Sequence, residues 1–103
     1  IYKVASLSYN PETLKAERED QQLELNPIQR RLLEILMQHS NRVVSREELE
    51  RHIWGDMLPD NDVLRTHIYG LRNIIDKPFS RKLLHTVHGA GYRLFDEGED
   101  DDQ

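Results

Sequence analysis

A chain of 103 residues has room for one domain and one modest hydrophobic core. The lack of cysteine excludes a disulfide framework and thiol-ligated zinc and suits a reducing compartment, and no apolar run approaches the ~20 residues that span a bilayer. The net charge of −5 argues against a polyanionic partner until its distribution is read: residues 96–103, DEGEDDDQ, hold six of the 19 acids and no base, which leaves 14 bases against 13 acids in 1–95.

Residues 1–9, IYKVASLSY, alternate loosely and are rich in β-formers, and Asn10-Pro11 ends them. Short strands are expected at Thr13 to Arg18 and Leu23 to Leu25 around a polar turn, Glu19 to Gln22, which makes a small antiparallel sheet. Its charges, Glu17, Arg18, Glu19, Asp20 and Glu24, read as a solvated face or a surface for a neighbouring domain. The chain begins at Ile1, inside a strand and without methionine, so a fragment of something longer is expected.

Asn26-Pro27 opens a first helix, with Asn26 as N-cap, proline where its missing N–H costs nothing, and Gln29 placed to close a capping box. Ile28, Leu32, Leu33, Ile35 and Leu36 supply its apolar face, and it should run out near Ser40-Asn41. Ser45 to Glu48 is the pattern of a second capping box, and Val44 can staple onto Leu49. Leu49, Ile53 and Trp54 face inward, Gly55 ends the helix, and residues 55–59, GDMLP, form a loop.

Residues 60–76 read as an amphipathic helix capped by Asp60 or Asn61, with Asp62 in its first turn. At about 100° per residue, Leu64, Ile68, Leu71 and Ile75 form one stripe, while Arg65, Thr66, Tyr69, Arg72 and Asn73 lie opposite. Two guanidiniums, a phenol, an amide and a hydroxyl suit phosphates and base edges, although an arginine-bearing outer face is also what a merely solvated helix presents. After Lys77-Pro78 comes a hairpin over 83–95, LLHTV, HGAG and YRLF, with Gly89 and Gly91 at a tip that is either a plain turn or a contact element. Residues 60–95 carry a charge of +3, so the positive end is the helix-plus-hairpin end. The tail 96–103 is expected to be disordered and solubilising. Two helices joined by a short loop and followed by a glycine-tipped hairpin make a winged helix-turn-helix, an α+β fold with an N-terminal antiparallel sheet, a three-helix core and a C-terminal wing.

The segments LNPIQRRLLEILM, NRVVSREELERHIWG, LRTHIYGLR and HTVHGAGYRL, with 13 residues between Arg72 and Thr86, resemble the winged-helix effector domain of OmpR/PhoB-type response regulators. The resemblance implies an upstream receiver domain phosphorylated by a sensor histidine kinase, a cytoplasmic transcription regulator, and no cofactor. It also implies double-stranded DNA as partner, a recognition helix in the major groove, a wing at the minor groove, and two copies on direct repeats although the isolated domain is a monomer. The loop 55–59 is where members touch RNA polymerase. Carried over by position, Arg65, Thr66 and Tyr69 read bases. His67, Arg72, Thr86, Trp54 and, more weakly, Arg46 meet phosphates; Asn73 adds to that face and His88 stands at the minor groove. Gly70 and His88 depart from the family, which often has arginine at both. Arg93 is expected to partner an internal carboxylate. Trp54 is equally readable as core, and Thr86 as a plain strand former.

An enzyme is not indicated: no Ser/His/Asp order, glycine-rich phosphate loop or paired buried carboxylates are visible, and His85-x-x-His88 lacks further zinc ligands. The other rival is a winged helix that binds protein rather than DNA.

Overall fold

The computed structural model describes residues 1–59 and 62–97. Four short strands, β1 (Tyr2–Val4), β2 (Leu7–Asn10), β3 (Lys15–Arg18) and β4 (Gln21–Leu23), form an antiparallel sheet in sequence order. The single strand expected over 1–9 is thus two. Ala5 takes a φ of 53°, and the turn at Ala5-Ser6 pairs Val4 with Leu7. The turn before β4 is also tighter than the sequence implies: Glu19 and Asp20 both have positive φ, as a two-residue hairpin turn requires, so Gln21 and Gln22 belong to the strand.

Helix α1 (Pro27–Gln38) starts with the expected capping box: Asn26 Oδ1 accepts from the Gln29 amide at 2.8 Å, and Gln29 Oε1 accepts from the Asn26 amide at 3.0 Å. Leu32, Leu33, Ile35, Leu36 and Met37 are buried, whereas Ile28 is only half-buried. Helix α2 (Arg46–Trp54) forms half of its expected box. Ser45 Oγ accepts from the Glu48 amide, but the Glu48 carboxylate turns away to accept from Arg42 at 3.2 Å, because a guanidinium is a stronger donor than an amide. Gly55, at φ 61°, stops this helix.

Helix α3 (Val63–Ile75) buries the predicted stripe, Leu64, Ile68, Leu71 and Ile75. Asp62 is its N-cap, accepting from the Arg65 amide at 3.3 Å, rather than a first-turn residue; Asp60 and Asn61, the expected caps, lie outside the described residues. The hairpin pairs β5 (Leu84–Val87) with β6 (Gly91–Leu94). Gly89, at φ 74°, makes the turn. Gly91 has a positive φ as well, 148°, and a Cβ there would stand 2.2 Å from Val44 O, because Val44 and Tyr92 exchange backbone hydrogen bonds and bring the segment before α2 against the hairpin. One core joins the sheet, all three helices and the hairpin.

Two charges expected in solvent are inside. Arg18 is 1% exposed, since β3 turns it to the same face as Ala16, and its guanidinium pairs with Asp76 at 3.0 Å while donating to Ile75 O and Arg81 O. Asp76 also accepts from the Leu83 and Leu84 amides, so the buried pair is satisfied on both sides. Asp96 is buried too, both its oxygens 3.0 Å from Arg81 Nη1. It therefore packs on the folded domain; of the rest of the expected tail, Glu97 is exposed and residues 98–103 lie outside the described residues. Arg93 donates to Asn41 Oδ1 at 2.8 Å and lies 3.7 Å over the Phe95 ring.

Candidate nucleic-acid interface

α3 is amphipathic, so burying its apolar stripe turns Arg65, Thr66 and Tyr69 outward, and all three are exposed, Tyr69 to 64%. The hairpin stands beside the same face. Between them lies a groove of about 570 Å³ whose walls include Arg46, Arg65, Tyr69, Arg72, Thr86 and His88. His88 is exposed at the wing tip.

Arg72 fixes the spacing of helix and wing. Its Nε donates to Leu84 O at 3.2 Å, its Nη2 donates to Thr86 Oγ1, and the guanidinium lies 6.0 Å from the Tyr92 ring. The two residues expected at phosphates thus meet each other first. Arg46, at the start of α2, is held in two ion pairs, to Glu50 at 3.2 Å and to the α3 cap Asp62 at 2.8 Å. The Glu50 hydrogen bond raises its pKa, with Asp62 adding to the effect, and the pair with Asp62 joins α2 to the start of α3.

His67 and Trp54 are half-buried, their rings tilted and 6.1 Å apart at the seam of α2 and α3, and Trp54 packs on the core. Asn73, half-buried, lines a second groove of about 640 Å³ beyond Arg72. Gly70 does not face the first groove. A Cβ there would come within 2.9 Å of Gln29 Nε2, so this position is where α3 approaches α1, and the missing side chain is a matter of packing.

Sequence reasoning missed Arg18, Asp76 and the Arg46–Asp62 pair. For Asp76 a cue existed: a carboxylate at the C-terminal end of a helix opposes the macrodipole and needs a cation. Among the described residues no three potential ligands gather for a metal, and no helix is long and apolar enough to cross a membrane.

The family described as transcriptional regulatory protein, C terminal, matches residues 20–94. The chain belongs to this family. Its curated relatives include the alkaline phosphatase synthesis transcriptional regulatory protein SphR of Synechococcus elongatus, 38% identical over 96 residues, covering 91% of this chain and 37% of that protein. The phosphate regulon transcriptional regulatory protein PhoB of Escherichia coli is 31% identical over 95 residues, covering 91% and 42%. The chain spans about two fifths of the length of these relatives. Among solved structures, the DNA-binding domain of CpxR from E. coli superposes with a TM-score of 0.77 at 33% identity, covering 91% of this chain and 94% of that one. The effector domain described here is therefore of the OmpR/PhoB type, and its family is one of transcription regulators.

Proposed function

We propose that this effector domain binds double-stranded DNA sequence-specifically and so controls transcription within a two-component response regulator. The observation that carries the reading is the convergence on one groove of the exposed α3 face and the wing tip, with Arg65 free of any ion pair among the described residues. α3 enters the major groove, where Arg65, Thr66 and Tyr69 read base edges. Arg72 and Thr86, bound to each other, offer their remaining donors to phosphate as one rigid unit, which spares the entropy of ordering a long side chain on contact. His67, Trp54 and Asn73 flank the backbone, Arg46 stiffens the α2–α3 turn beside it, and His88 reaches the adjacent minor groove.

Further proposals follow from the family's architecture. A receiver domain upstream takes phosphate from a sensor histidine kinase in the cytoplasm, and two copies occupy direct repeats. RNA polymerase docks on the loop 55–59, where Met57 and Leu58 are 83% and 57% exposed.

Selection of duplexes from a randomised pool, at moderate salt, tests the reading. Enrichment of paired direct repeats is expected. If neither this chain nor a tandem fusion of two copies enriches any sequence, base reading is wrong.

A further inference from the structure

We infer that the DNA-binding face continues past the Arg72–Thr86 bridge into the second groove, where Lys77 and Lys82 hold the phosphate backbone of the same duplex. This inference rests on the DNA reading above, and it assigns residues that neither the family resemblance nor the helix pattern singles out.

The two grooves adjoin at the Arg72–Thr86 bridge. Tyr69, Arg72 and Thr86 line both, so a backbone seated on the bridge has open space on either side. From Tyr69 the second groove follows α3 to its C-terminus, about 9 Å of helix, and then meets the loop that carries Lys77 and Lys82. Phosphates of one strand rise about 3.4 Å each along the DNA axis and lie further apart along the winding backbone, so this length accommodates two successive phosphates.

Its electrostatics suit an anion despite a carboxylate at its floor. Asp76 is neutralised from beneath by Arg18 and by two backbone amides, and the last helical carbonyl, that of Ile75, also accepts from Arg18. The negative end of α3 is thereby covered from inside the domain. Lys77 and Lys82 are exposed and make no ion pair among the described residues, unlike Arg46 or Arg81. Asn73 and Ser80 line the same groove with neutral donors. Exposed, unpaired cations beside neutral donors, in a groove adjoining the base-reading face, fit a regularly spaced polyanion.

The test compares the full 103-residue chain with a Lys77→Gln/Lys82→Gln variant and with Lys3→Gln/Lys15→Gln, which removes the same charge from the N-terminal sheet. Affinity for a duplex of about two helical turns, carrying either the selected operator or a random sequence, is measured from about 50 to 200 mM salt. Lys77→Gln/Lys82→Gln should flatten the log–log slope by about 1.8, about 0.9 per lost phosphate, and weaken both duplexes by the same factor. The sheet variant should keep the original slope. Equal slopes in all three proteins, or equal flattening in both variants, overturns the inference and leaves the DNA reading standing. Absence of salt-dependent binding by the unaltered chain overturns both. Circular dichroism and melting, unchanged by replacing these exposed lysines, exclude misfolding as the cause of a lost slope.

Discussion

Arg65 and Arg72 lie seven residues apart on α3 yet hold different stations: one guanidinium is exposed and unpaired among the described residues, the other is bonded to the wing. Removing the first should cost selectivity. Arg65→Ala is expected to lose ~1–3 kcal/mol of discrimination at one base pair, with little change on random duplex. Arg72→Ala should weaken all duplexes alike, since on the proposed reading it removes a phosphate contact, and it also frees the wing. Competition between operator and random DNA separates them, and equal losses on both for Arg65→Ala would exclude base reading there. His88 stands exposed at the wing tip. On the proposed reading His88→Ala should weaken DNA binding, and unchanged affinity would remove His88 from the interface.

At the scale of elements, helix boundaries come from local chemistry and helix seams do not. The Asn26–Gln29 box is written in four consecutive residues, and so it was legible. That Gln29 also meets Gly70 of α3 was not, because the two positions are brought together only by packing. This contact gives α3's glycine a measurable role. Gly70→Ala gains about 1 kcal/mol of helix propensity but must displace the Gln29 amide, which closes half of the α1 cap. The net change in urea stability should be close to zero. In a Gln29→Ala background the same substitution should recover the full ~1 kcal/mol. The same gain in both backgrounds would mean that Gln29 moves aside freely and does not couple the helices. The wing was similarly half-legible: its turn follows from glycine's access to positive φ, whereas the close approach of backbone at Gly91 comes from Val44, distant in sequence.

Across the whole molecule, Arg18 fastens the N-terminal sheet to the end of α3 and to the start of the hairpin segment. Asp76→Ala leaves that guanidinium buried without its counter-charge and two backbone amides without an acceptor. A loss of about 3–5 kcal/mol is expected, a large part of the stability of a domain this size, read as a lower urea midpoint. A loss below about 1 kcal/mol would show that water or a rearranged arginine replaces the carboxylate.

The sequence alone determined the order of the three helices and the hairpin, the buried stripe of α3, the α1 cap and the wing turn, because each depends on residues within a few positions of one another and on dihedral freedom. Tertiary structure alone decided what the charges do. Arg18 meets Asp76 across 58 residues, Arg72 meets Thr86 across 14, and Arg81 meets Asp96 across 15. A charged side chain reads the same in sequence whether it is solvated, paired or waiting for a phosphate. Only the packing that removes water from it, and sets a partner within hydrogen-bonding distance, tells those states apart.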